Sequence, residues 1–217
     1  YAEDNFIYLN KLFSVGNKLI LYALFAIGIP IIIEMPNILN WWLGITNENF
    51  IIFSRLIIIY IVCLSMNNPI TAIIQATGKV KAYHLKVESI TLLCLPISYV
   101  CFTLHLPSYF ALISMIVVSI LAHIVRLFCL HEYYQQFSIS SYLKSLVIPG
   151  VLILTLGIVS SCLLHQNIEH NTLRVIIVFL YSPIFFIVSA LLIGTNKTEK
   201  KVIYNYVNSF IAKRICR

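Results

Sequence analysis

Two ionisable residues stand in apolar runs where lipid tolerates no isolated charge. Glu34 lies within Ile29-Pro30-Ile31-Ile32-Ile33-Glu34-Met35-Pro36, and Arg55 within Ile51-Ile52-Phe53-Ser54-Arg55-Leu56-Ile57. If the helix continues through Pro36, Glu34 sits about 10 Å inward of Trp41 and Trp42, which look like interfacial aromatics. A carboxylate at that depth is protonated, paired or in a water-filled cleft. Arg55 is the nearest cation in sequence able to reach it from an adjacent antiparallel helix. The alternative is a shorter helix ended by Pro36, with Glu34 in headgroup water.

A second group is Ser119, His123 and Arg126, whose spacings of four and three put them on one helix face. A guanidinium binds phosphate oxygens through two parallel bonds, so this face suits an anionic headgroup. Arg126 snorkelling to the membrane surface is the competing explanation. A third group follows from setting Arg55 at zero and advancing by about 100° per residue. Ser54, Ser65, Asn68, Thr71, Ala72 and Gln75 then fall on roughly a third of the circumference. Such a stripe either lines a cavity or bonds neighbouring helices, because hydrocarbon supplies no partner.

Other chemistries fail on their spacing. Ala76-Thr77-Gly78-Lys79 resembles the end of a phosphate loop but lacks the upstream glycine. HExxH and GxSxG are absent, as is an acidic pair placed to hold a sugar-nucleotide metal. Cys63, Cys94, Cys101, Cys129, Cys162 and Cys216 show no CxxC or Cys/His ligand spacing and read as small apolar residues. The expectation is a protein that is not an enzyme and holds no metal or cofactor.

The elements that carry these residues are six apolar spans: approximately Lys18–Asn37, Ile51–Ile74, Val87–Leu106, Tyr109–Leu130, Leu146–His165 and Val175–Gly194. Each is about the 20 residues that cross a hydrocarbon core. With 60% hydrophobic and 11% charged residues and a mean hydropathy of +0.91, the chain cannot coat a water-soluble globule. The net charge of +7 suggests nucleic acid, yet the cations lie beside span ends rather than along one exposed helix face. All fifteen Lys and Arg except Arg55 and Arg174 belong to alternate segments, counted from the N-terminus. The positive-inside rule therefore places both termini in the cytoplasm.

Tyr1–Gly16 has no initiator Met and no signal-peptide pattern, so the chain reads as part of something longer. The expected organisation is a cytoplasmic amphipathic linker at 1–17, a six-helix transmembrane bundle at 18–194, and a basic amphipathic tail at 195–217. In the tail, Val202, Ile203, Tyr206, Val207, Phe210 and Ile211 recur at helical spacing. The loops are too short to form a domain, which places any function between the helices. Pro30, Pro36, Pro69, Pro96, Pro149 and Pro183 free backbone carbonyls in or beside the spans. Gly150 and Gly157, seven apart, mark a close-packed helix face.

The run Ile29-Pro30-Ile31-Ile32-Ile33-Glu34-Met35-Pro36-Asn37-Ile38-Leu39 ahead of Trp42-Leu43-Gly44 resembles the start of the second half of bacterial O-antigen and polysaccharide flippases. These Wzx-type proteins belong to a superfamily that includes the MATE drug exporters. Asn68-Pro69-Ile70-Thr71-Ala72-Ile73-Ile74-Gln75-Ala76-Thr77-Gly78-Lys79-Val80-Lys81 is similar to the turn between the eighth and ninth family helices. Leu95-Pro96-Ile97-Ser98-Tyr99 and Tyr142-Leu143-Lys144 ahead of Pro149 add to the likeness, which covers nearly the whole chain. The resemblance implies an all-α, polytopic six-helix bundle forming one half of a MATE-like twelve-helix transporter. Its partners would be the missing N-terminal half, the bilayer of the bacterial inner membrane and a lipid-linked oligosaccharide, with no nucleic acid. The cargo would be an undecaprenyl-diphosphate-linked repeat unit of O-antigen, capsule or exopolysaccharide, moved by alternating access. Arg55, Ser65, Asn68, Thr71, Gln75, His123 and Arg126 would line its cavity, and Glu34 would be the ion-coupling group. A drug or cation exporter half would share the architecture but favour a cation-poor cavity. A non-transporting membrane subunit would share only the topology.

Overall fold

A computed structural model describes residues 6–44, 47–76, 78, 80–134, 137–168, 172–195 and 199–200, with side chains omitted at 6–12 and 76. All regular structure among them is helical. Six units are long and apolar enough to cross a membrane, and they coincide with the six spans expected from hydropathy. Span one is the single helix α1, Phe6–Leu43. At 38 residues it is about 57 Å long, nearly twice a hydrocarbon core. It crosses from the expected linker into the expected bundle without a break. Gly44, at φ +63°, ends it by donating its N–H to the Asn40 carbonyl, a conformation that costs glycine little.

The next two spans are each interrupted. Span two is α2 (Glu48–Ser65) and α3 (Asn68–Ala76), and span three is α4 (Val80–Thr91) and α5 (Cys94–Thr103). Each break lies two to four residues before a proline, Pro69 or Pro96, which cannot donate to the preceding turn. Gly78, at φ +75°, donates to the Gln75 carbonyl in the turn between spans two and three. The residues resembling a phosphate loop thus include a helix-to-helix turn. Span four is α6, Phe110–Tyr133. Span five comprises α7 (Ile139–Tyr142), a π-helical turn at Leu143–Val147 and α8 (Ile148–Asn167). Span six is α9 (Thr172–Ser189), continued by a π-helical turn at Ala190–Gly194.

Packing divides the spans into two groups. Helix α1 packs on α8 and α9, while α6 packs on α4 and α5. Span two joins them, with α2 against both α1 and α6. Gly150 and Gly157 are buried, as their spacing suggested: the side of α8 at Gly157 lies directly under the Phe186 ring. Outward-facing positions are apolar instead, including Leu95, Phe128, Leu180 and Leu192. That distribution suits a lipid solvent and would be an aggregation hazard in water.

Most of the tail, beyond Glu199 and Lys200, lies outside the described residues, as does Cys216. Glu199 is buried against Lys18, with Nζ at 2.9 and 2.8 Å from its two oxygens. Ser14 donates a further hydrogen bond to the same carboxylate. Lys18, expected to be a charge at a span end, is thus a buried, neutralised one.

Candidate functional site

The polar side chains collect in separate groups rather than along one stripe. Near Trp41, Glu34 is completely buried among three helices. His165 of α8 donates from Nδ1 to Oε1 at 2.7 Å, and Asn37, one turn along α1, donates to Oε2. Arg174 of α9, only 2% exposed, places Nε 3.3 Å from Oε1 and donates from an Nη to Oε2 at 3.4 Å. Glu34 is therefore deep, paired and held by a helix that continues through Pro36. Burial on this scale needs such a partner, since removal from water costs each ion several kcal/mol.

The partner differs from the one its position suggested. Arg55 does reach α1 from span two, but its Nε donates to the Ile32 carbonyl at 2.9 Å. The cause is Pro36. In a regular helix residue 36 donates its N–H to the carbonyl of residue 32, and proline has none to give. Arg55 covers the acceptor that Pro36 leaves open.

The second group surrounds the break in span two. The side chain engaged there is Asn67, 5% exposed, rather than the exposed Asn68. Its Oδ1 lies 2.8 Å from His123 Nδ1, and Nε2 of the same imidazole is 3.4 Å from the Tyr142 hydroxyl. An amide oxygen only accepts, so with Asn67 Oδ1 facing the ring it is the tautomer protonated on Nδ1 that satisfies this contact. One turn further along α6, Arg126 Nε donates to the Tyr83 hydroxyl at 3.1 Å. Tyr83 is 1% exposed and lies 2.9 Å from Thr71 Oγ1, which donates to the Asn67 carbonyl at 3.0 Å. His123 and Arg126 thus share a neighbourhood, with Ser119 buried one turn away.

The span-two stripe is only partly realised. Thr71 bonds a neighbouring helix, Ser65 donates to Ile61 in its own helix, and Asn68 and Gln75 are exposed. The turn at Met66–Asn67 rotates α3 relative to α2, so a phase counted from Arg55 does not carry across it.

Electrostatics separates these groups further. Lys18 is matched by Glu199, and Arg174 by Glu34. Arg55 and Arg126 bond only neutral oxygens, and among the described residues neither forms an ion pair. Both are part-buried cations with unspent charge. A cavity of about 280 Å³ beside Lys18, lined in part by Phe13, Asn17, Ser141, Tyr142 and Glu199, contains no such excess because its carboxylate is already paired. No group of three or more His, Cys, Asp or Glu suited to a metal occurs among the described residues.

Sequence reasoning missed Tyr83, Asn67, His165 and the role of Arg174. Arg174 had a usable signal, as one of two cations on the charge-poor side of the topology. Comparison with models of known protein families, with curated proteins and with solved structures finds no match to this chain.

Proposed function

We propose that this chain is one half of a flippase that carries undecaprenyl-diphosphate-linked oligosaccharide across the bacterial inner membrane by alternating access. The observation that carries the reading is the uncompensated charge of Arg55 and Arg126 within a six-span helical bundle. A cation in a poorly hydrated span without a carboxylate partner favours an incoming anion. A diphosphate supplies that charge in a geometry matched to guanidinium. The same excess disfavours a cationic drug, which would meet repulsion at both positions. In the proposed orientation both termini and the turn at Gly78 are cytoplasmic. Arg126 then receives the headgroup from the cytoplasmic side, and Arg55 lies towards the exit. The lipid tail stays in the bilayer, and the exposed amides and hydroxyls of span two accompany the sugars.

The decisive variant is Arg126→Ala, because Arg55 also covers a backbone carbonyl. Expressed with the N-terminal half that this reading requires, it should reduce surface polysaccharide at unchanged protein abundance, with Arg126→Lys rescuing in part. One lost charge-assisted contact costs about 1.5–3 kcal/mol, or roughly 10- to 100-fold in affinity. Export at the parental rate by Arg126→Ala, present at normal levels, would make the arginine an interfacial anchor and defeat the mechanism.

A further inference from the structure

Arg126 belongs to a chain of hydrogen bonds with only one allowed direction. A guanidinium donates and never accepts, so the Tyr83 oxygen is the acceptor of the Arg126 bond. The Thr71 hydroxyl spends its proton on the Asn67 carbonyl. Its oxygen must therefore receive the Tyr83 proton. The order is Arg126 to Tyr83 to Thr71 to the Asn67 carbonyl. It crosses spans four, three and two and ends at the interruption of span two.

This chain fixes one edge of the guanidinium and leaves its charge intact. Every acceptor along it is neutral, and both Nη groups of Arg126 remain without a partner among the described residues. Tyr83 is almost fully buried, so its hydroxyl cannot turn to water instead. Beside it His123 is held through both ring nitrogens, by Asn67 and by Tyr142, which fixes the neighbouring ring in place. An acid in place of Tyr83 would hold Arg126 equally well but cancel its charge. A phenyl ring would preserve the charge but release the fork.

We propose that Tyr83 is the positioning residue of a phosphate subsite, holding Arg126 through Nε so that both Nη groups face the oxyanion of a lipid-borne diphosphate. This rests on the flippase reading for the ligand, whereas the positioning itself does not depend on it. Thr71 acts one step removed, by orienting the Tyr83 hydroxyl.

The full chain in nonionic detergent, labelled so that its arginine Nε–H signals are resolved, tests both parts. Solvent exchange of the Arg126 Nε–H should accelerate about tenfold in Tyr83→Phe, the loss expected for one charge-assisted hydrogen bond, and by less in Thr71→Val. Titration with farnesyl diphosphate should shift the Arg126 signal in the parent, shift it more weakly in Tyr83→Phe and leave it unmoved in Tyr83→Glu. Inorganic pyrophosphate and phosphatidylglycerol, run as separate arms, distinguish a lipid diphosphate from free phosphate and from an ordinary headgroup. Unchanged exchange in both Tyr83→Phe and Thr71→Val, each retaining parental helicity, would overturn the positioning role. Accelerated exchange with no response to any phosphate would make Tyr83 the anchor of a purely structural arginine and overturn the subsite. A diphosphate response in the chain, combined with parental export by Arg126→Ala in cells, would preserve the subsite and sink the flippase reading.

Discussion

At the scale of the residue, what distinguishes the cations is the oxygen each one meets. Arg174 meets a carboxylate and Arg126 a phenol, so the first is neutralised where it stands and the second keeps its charge. The consequences of removing them should differ accordingly. Arg174→Ala strands Glu34 in a fully buried site with His165 and Asn37 alone, and leaving a buried charge without its ion-pair partner costs about 3–5 kcal/mol. The double change Glu34→Gln with Arg174→Gln removes both charges and should recover much of that loss. Thermal unfolding of the purified protein in detergent is the measurement, and a double variant no more stable than Arg174→Ala would contradict the pairing. Gly157→Ala should also destabilise, because the new methyl would enter the Phe186 ring, which lies on an adjacent, well-packed helix.

At the scale of the element, the six spans were legible because lipid imposes one rule on all of them: about 20 apolar residues with their backbone satisfied internally. The breaks were less legible. Pro69 and Pro96 marked them, but only tertiary structure decides whether a proline kinks a helix, interrupts it or gains an outside donor. Pro36 is the third case, since α1 continues and Arg55 supplies the missing hydrogen bond. Glu34 was recognisable as a residue needing a partner, but its partners lie 131 and 140 residues away and no local spacing points to them. Asn67 was passed over for Asn68 because a single turn at the break changes which amide faces inward. The link between Pro36 and Arg55 gives a prediction about helix α1. Pro36→Ala restores an N–H for the Ile32 carbonyl, so Arg55→Ala should lower the amount of folded protein in the parent and lower it much less in the Pro36→Ala background. Equal losses in both backgrounds would mean that Arg55 does not serve that carbonyl.

At the scale of the whole molecule, the two ends of the bundle are chemically unlike. The end near Trp41 is fastened by Glu34, His165 and Arg174, which join α1, α8 and α9. The other is fastened by Lys18 and Glu199, which join α1 to the segment after span six. Helix α1 takes part in both, so any movement that opens one end of this group of spans must act against a buried ion pair. Orientation decides which compartment each pair closes off. In the orientation proposed above the Lys18 end lies in the cytoplasm, a reading supported by the cations that flank it, since short loops rich in Lys and Arg are retained there. A single cysteine in place of Asn47, on a cysteine-free background, should therefore react with a membrane-impermeant maleimide in intact cells. One in place of Ser138 should react only after permeabilisation. Asn47 and Ser138 are both exposed and lie beyond opposite ends of the spans, so the pair reports orientation rather than burial. The reverse labelling pattern would invert the bundle, placing Arg126 at the exit and Arg55 at the entrance, and the proposed direction of transport would fall with it.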